Sequence, residues 1–252
     1  MEEDYFYFKE KAPNLSSLGL VIKNCTVPLF NKRGKLFELF GSGFLVSGRD
    51  ITYLFTAKHT IETSNTIYLL RSGSFSRLHR YSGSTSQLTL NDSKLDIIAF
   101  ALDDDFSKVL RNEYHSFSKE EIPSLSTGLS DGIWLITGCL ASKSRYQVSE
   151  NKVITSVFCH QLDVETKTST NAQTYKLFLP KHRKGLHGQR LPDLHGLSGG
   201  PLLWVSSEDQ PAQLYLVGMN YAYSLSKSAD RYQIHSYGTL VLSELLKRAD
   251  AA

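Results

Sequence analysis

The chain has 252 residues, a formal net charge of +3 and 41% hydrophobic residues. So small a net charge argues against a nucleic-acid or anionic-membrane partner, and no apolar run approaches the roughly 18 residues of a membrane span. What remains is one large domain or two small lobes, with enough chain for a substantial core.

The first ten residues, Met-Glu-Glu-Asp-Tyr-Phe-Tyr-Phe-Lys-Glu, are acidic where a secretory signal would be basic, and no apolar h-region follows. A cytoplasmic location is therefore expected. Short runs rich in β-branched, aromatic or leucine residues, bounded by Gly, Ser, Asn or Asp, then follow one another. In the first half they predict strands at Gly19–Lys23, Leu36–Val46, Thr52–Thr56, Thr66–Leu70, Leu88–Leu90 and Asp96–Leu102. The polar, Ser-rich stretch from Asp103 to Ser130 reads as a connection, with a short helix near Phe106–Asn112. The second half predicts strands at Ile133–Thr137, Lys152–His160, Thr174–Leu179, Pro201–Val205, Leu214–Asn220 and His235–Gly238. Leu240, Leu242, Leu245 and Leu246 fit a closing helix to Arg248, with Lys247 and Arg248 at its C-terminal end. Many short strands indicate an all-β sandwich or barrel.

Cys25, Cys139 and Cys159 are odd in number and their spacing suggests neither a disulfide framework nor a zinc site. Each lies in or beside an apolar run, as small buried hydrophobes do. The eight histidines show no metal-ligand spacing, so no metal and no other cofactor is expected.

Three segments carry chemistry. The stretch Gly196-Leu-Ser-Gly-Gly-Pro201 sets Ser198 among small residues that let a substrate backbone approach and let successive N–H groups aim at one point. Acyl transfer needs both an accessible nucleophile and such donors. Upstream, Gly41-Ser42-Gly43-Phe44-Leu45-Val46 precedes Thr56-Ala57-Lys58-His59, and Leu95-Asp96 opens the apolar run Ile97-Ile98-Ala99-Phe100. The chain order His59, Asp96, Ser198 is that of the chymotrypsin-type triad.

With these motifs in this order, residues 17 to 248 resemble the trypsin/chymotrypsin-like serine peptidases, and more closely their disulfide-free bacterial branch. Asp96-Ile97-Ile98-Ala99 departs from the family's Asp-Ile-Ala by one residue. The resemblance implies two six-stranded antiparallel β-barrels with a C-terminal helix, divided as an N-terminal segment 1–16, a first lobe 17–118 and a second lobe 119–252. It also implies His59, Asp96 and Ser198 as catalytic residues and the backbone N–H groups of Gly196 and Ser198 as an oxyanion hole. The specificity pocket would be walled by Pro192, Asp193, Leu194 and His195 on one side and by Met219, Asn220, Tyr221 and Ala222 on the other. Pro192 stands where trypsin carries its specificity aspartate. Asp193 either faces the pocket and takes Lys or Arg, or caps a solvent-facing turn; Tyr221 either narrows the pocket or packs between lobes.

Secreted relatives mature when a new N-terminal amine pairs with an aspartate just before the serine; here that residue is Leu197, which closes that route. A peptidase in the cytosol needs restricted specificity or control by a protein partner, and its substrates would be specific proteins or peptides, as in bacterial stress or antiviral systems. The run Lys181–Arg190 is the densest basic stretch. It reads as a solvated loop, or as a regulatory docking segment for an acidic partner.

Two other functional classes carry different expectations. A non-catalytic binding module on a peptidase scaffold would leave Ser198 inert to a fluorophosphonate, and an esterase or amidase would prefer small substrates over peptides. The α/β-hydrolase elbow also fits Gly196-Leu-Ser-Gly-Gly200, but it needs an acid and then a histidine after the serine. Beyond Ser198 stands only His235, and Pro201–Val205 reads as strand.

Overall fold

The computed structural model describes residues 5–7, 15–62, 66–71, 74–78, 87–89, 95–123, 132–147, 152–162, 168–171, 174–180, 192–206, 213–226 and 231–251. The basic run from Lys181 to Arg190 lies outside the described residues. In chain order the first half holds β1 (Tyr5–Tyr7), α1 (Leu15–Asn24), β2 (Val27–Arg33), β3 (Leu36–Ser47), β4 (Thr52–Thr56), α2 (Lys58–Glu62), β5 (Tyr68–Arg71), β6 (Ser74–Arg77), β7 (Gln87–Thr89), β8 (Ile98–Ala101), α3 (Asp104–Glu113) and β9 (Ser116–Phe117). The second half holds β10 (Gly132–Cys139), β11 (Arg145–Gln147), β12 (Lys152–Ile154), β13 (Val157–Leu162), β14 (Thr168–Asn171), β15 (Thr174–Pro180), β16 (Pro201–Ser206), β17 (Leu214–Ser226), β18 (Arg231–Gly238) and α4 (Thr239–Ala251).

Among the described residues two sheets of eight strands each, rather than the expected six, make two lobes, and β11 and β12 form a separate two-stranded sheet. The first runs β6-β5-β2-β3-β4-β8-β7, with β9 added alongside β3; the second runs β1-β13-β10-β16-β17-β18-β15-β14. Pairing is antiparallel except for β9 on β3 and β1 on β13. The surplus comes from short or polar strands such as β6, β9 and β14, whose sequences carry little apolar signal.

Alternation along β3 explains how the lobes join. Leu45 faces the interior of the first lobe with Leu29, Leu54 and Phe100. Its neighbours Phe44 and Val46 point the other way, into a cluster shared with Leu203, Leu216, Met219, Tyr237 and Leu245 of the second lobe. Phe44 stacks on Phe55 with centroids 5.5 Å apart. Side chains of this size contribute about 1.5–3 kcal/mol each when fully buried, so the seam between lobes is itself core. A third cluster, with Leu177, Leu194, Leu202 and Val217, fills the second lobe.

Two expectations about elements are corrected. Gly19–Lys23 is not a strand but part of α1. Leu18 packs on the shared core and Ile22 is buried, four residues apart on one helical face, while Leu20 and Val21 are exposed. The run of apolar β-formers hid that period. Lys152–His160 is not one strand but two, β12 and β13, interrupted at Thr155-Ser156. The connection helix stands as α3, capped by Asp103, whose carboxylate accepts from the Phe106 N–H at 2.8 Å. The closing helix stands as α4, burying Val241, Leu242, Leu245 and Leu246; Leu240 is exposed.

Candidate active site

His59 lies on α2, three residues past the end of β4. Asp96 lies in the extended stretch that leads into β8, the strand paired with β4. That pairing brings the acid beneath the histidine. Asp96 Oδ1 accepts from the His59 backbone N–H at 2.7 Å, and Oδ2 meets His59 Nδ1. Two contacts from one carboxylate fix both the helix end and the ring. They place the ring proton on Nδ1 and leave Nε2 as the basic nitrogen. The Asp96 hydrogen bond raises the His59 pKa above its ordinary value, and the charges of Asp96 and Glu62 add to this while partial burial opposes it.

The segment 194–200 is two consecutive tight turns. Leu197 N–H donates to Leu194 C=O and Gly200 N–H to Leu197 C=O, each at 3.0 Å. The third residue of each turn is glycine at positive φ, Gly196 at 96° and Gly199 at 86°. That is the conformation a type II turn requires and side chains resist. A Cβ on Gly196 would meet the Cys139 carbonyl at 2.6 Å, and one on Gly199 would collide with the Ser42 carbonyl. The turns leave Ser198 half-buried at the cleft. His195 C=O accepts from Ala141 N–H at 2.8 Å. The Gly196 N–H sits on the opposite edge of that peptide, so it points away from Ala141. Among the described residues neither Gly196 N–H nor Ser198 N–H has a partner.

Two buried polar residues clamp these turns, one from each lobe. Ser42 N–H donates to Ser198 C=O at 2.9 Å. Its hydroxyl donates to Gly196 C=O at 2.6 Å and accepts from Cys139 N–H at 2.7 Å. From the second lobe, Asn220 C=O accepts from Gly199 N–H at 2.6 Å and Asn220 N–H donates to Gly200 C=O at 2.9 Å. The Asn220 side chain donates to Thr137 C=O and accepts from Ser236 Oγ. In the sequence Ser42 reads only as part of a Gly-x-Gly turn, and nothing local marks its hydroxyl.

A cleft of about 640 Å³ between the lobes is lined by His59, Asp96 and Phe40 from the first and by His195, Gly196, Ser198, Tyr221, Ala222 and Tyr223 from the second. His59 and Ser198 thus face one space, without a direct hydrogen bond between them among the described residues. Both lobes re-aim an aromatic into it through a bulge. The register slips past Phe40 between β2 and β3, and past Tyr221 between β17 and β18.

The expected specificity walls divide. His195, Tyr221 and Ala222 line the cleft, whereas Pro192 and Asp193 are not among its lining residues. Met219 and Asn220, expected in the second wall, are both buried, Met219 in the shared core and Asn220 in its hydrogen bonds, and neither is among the residues lining the cleft. Asp193 is exposed and accepts from the His195 N–H at 3.2 Å, a turn-capping bond, with the Tyr223 hydroxyl 3.5 Å away. Leu194 and Leu197 are buried in the second-lobe core. Sequence reasoning also missed Tyr237, whose buried hydroxyl accepts from the Asp96 backbone N–H at 2.6 Å.

The fold is the chymotrypsin-like arrangement of two β lobes with a C-terminal helix. Among solved structures, the protease domain of MamO from Magnetospirillum magneticum, in its apo form, is similar over 89% of this chain and 97% of its own, with a TM-score of 0.50 and 11% sequence identity. No family model matches the chain, and no curated protein does. The likeness is one of fold. No helix among the described residues is long and apolar enough to cross a membrane.

Proposed function

We propose that this chain is a serine endopeptidase. The observation that carries the reading is that one cleft holds His59, oriented by Asp96 at Nδ1, together with Ser198, and that the N–H groups of Gly196 and of Ser198 itself have no partner among the described residues. A serine hydroxyl is a weak nucleophile at neutral pH. His59 Nε2 takes its proton as Oγ attacks the carbonyl of the substrate and returns it to the leaving amine. That transfer needs Nε2 and Oγ about 2.6–3.2 Å apart, a closure completed when substrate occupies the cleft. Asp96 keeps the tautomer and stabilises the imidazolium. The Gly196 and Ser198 N–H groups receive the oxyanion.

His195, Tyr221 and Ala222 contact the substrate beside the scissile bond. Leu197, buried among Leu140, Leu194 and Leu202, fills with apolar packing the place where related zymogens form an ion pair. The site thus needs no processed N-terminus. Activity is confined to specific protein substrates or governed by a protein partner, in the cytoplasm, where the three buried free cysteines remain reduced. Profiling new protein N-termini in cells carrying the parent or the Ser198→Ala protein tests this. Discrete cleavage sites present only with the parent support the reading. Identical profiles with both proteins refute it.

A further inference from the structure

Asp96, like Ser198, has its backbone held by the other lobe. It precedes β8, outside any strand or helix. Its carboxylate is engaged with His59 and its carbonyl accepts from Lys58 N–H at 3.4 Å, both contacts within the first lobe. Its N–H instead donates to the Tyr237 hydroxyl at 2.6 Å, across 141 positions of sequence. Tyr237 is 2% exposed and is the penultimate residue of β18, two positions before α4 begins. Its ring cannot swing aside, because it is packed in the core shared by both lobes. Tyr221 lies flat against it, centroids 4.2 Å apart and planes inclined by 19°. Tyr221 is the bulge residue of β17 and lines the cleft. Burial and the Asp96 charge together raise its phenol above the ordinary range, which places it in the same electrostatic neighbourhood.

We propose that Tyr237 is the positioning residue for Asp96: its hydroxyl, delivered from the second lobe, fixes the backbone that carries the carboxylate, and the Tyr221 ring stacked on it extends that anchor to the cleft wall. The proposal rests on the peptidase reading for its kinetic consequences and on the geometry alone for its structural ones. A carboxylate that must meet both the N–H and the Nδ1–H of His59 tolerates little displacement. Without the phenol, the Asp96 backbone keeps only first-lobe contacts and the carboxylate wanders from Nδ1. Turnover suffers more than binding, since the imidazolium exists only during reaction. The charged and titratable groups around His59 are Asp96, Lys58 and Glu62 in the first lobe and, around the cleft, Arg33, His195 and Tyr221; of these Asp96 and Glu62 raise its pKa. Among the described residues only Asp96 is bonded to the ring.

The test is Tyr237→Phe, which keeps the ring and its stacking and removes one oxygen. The expected result is a fall in kcat of about tenfold with KM within about twofold. The acid limb of the kcat/KM profile moves to lower pH, and the His59 pKa measured by NMR moves with it. In the unsubstituted protein the Asp96 amide should be protected from hydrogen exchange, a reading that needs no variant to fold. Parental kcat and parental His59 pKa in Tyr237→Phe, or an Asp96 amide that exchanges freely in the parent, overturns the proposal. Because the NMR and exchange readings require no turnover, a parent that cleaves nothing sinks the peptidase reading and leaves the anchor to be decided by those two.

Discussion

Replacing Ser42 by alanine probes how the nucleophile turns are held. Ser42 is fully buried, and its hydroxyl serves two backbone groups at once, Gly196 C=O at 2.6 Å and Cys139 N–H at 2.7 Å. Alanine removes both bonds. A buried polar group left without its partner costs about 1–3 kcal/mol, so losing both bonds is expected to cost about 3 kcal/mol, in the lower half of the roughly 2–6 kcal/mol for two groups. For a chain of this size that lowers Tm by about 6–12 °C. Activity should fall further than stability implies. Gly196 C=O is the hold that Ser42 has on the turn carrying the Gly196 N–H, and losing an oxyanion donor outright costs about 10²–10³ in turnover. The bonds from Ala141 N–H to His195 C=O and from Ser42 N–H to Ser198 C=O survive, so the expected loss in kcat is about tenfold. Thermal unfolding and peptide hydrolysis on the same preparation read both quantities. Ser47→Ala, which removes the partly buried Ser47–Ser116 hydroxyl bond further along β3, serves as the comparison and should leave kcat alone. A Ser42→Ala protein with parental Tm and parental kcat would refute the clamp.

Other outcomes follow from the same geometry. Ser198→Ala and His59→Ala should each abolish nearly all turnover, and the double variant should lose little more, because the two act as a unit; multiplicative losses would separate them. For pH, His59 must be neutral to act as base, so kcat/KM should fall as pH drops through its raised pKa, on an acid limb above 6.5. Asp96→Asn should shift that limb down and cut kcat by about 10⁴; an unmoved limb assigns it to another group. The sign for stability is opposite: a raised folded-state pKa stabilises the fold fully below about 6.5 and loses that contribution as pH rises through the folded value. The Cys25 and Cys159 thiols are driven upward by burial, and all three cysteines are free and buried. Strong reductant should therefore leave Tm unchanged, and alkylation should require unfolding. Extending or blocking the N-terminus should leave activity unchanged, since Leu197 offers no carboxylate; activity that demands a processed amine would overturn this.

The parts of the site that were legible in the sequence are those set by local chemistry. Gly196 and Gly199 announce a segment of unusual dihedrals because side chains resist positive φ, and that segment can be read wherever it lies in the fold. Thr56-Ala57-Lys58-His59 and Leu95-Asp96 could be read because each abuts an apolar strand. What stayed hidden depends on pairing between distant segments. Ser42, Asn220 and Tyr237 matter through contacts with residues 141–154 positions away or through the bulge of β17, and no neighbour in sequence reports those. The wall expected from Met219 to Ala222 divided for that reason. The bulge turns Tyr221 into the cleft while Asn220 and Met219 stay in the core. β2 went unread because Pro28 and the polar run Asn31-Lys32-Arg33 break its alternation. α1 was misread because leucine, valine and isoleucine report burial before they report period.

Reaction of the folded protein with a fluorophosphonate, followed by peptide mapping, tests the central claim most directly. The account predicts a single adduct on Ser198, formed at a rate that collapses in His59→Ala and Asp96→Asn and absent in Ser198→Ala. A folded parent that takes no label, or takes it on another residue, would contradict it.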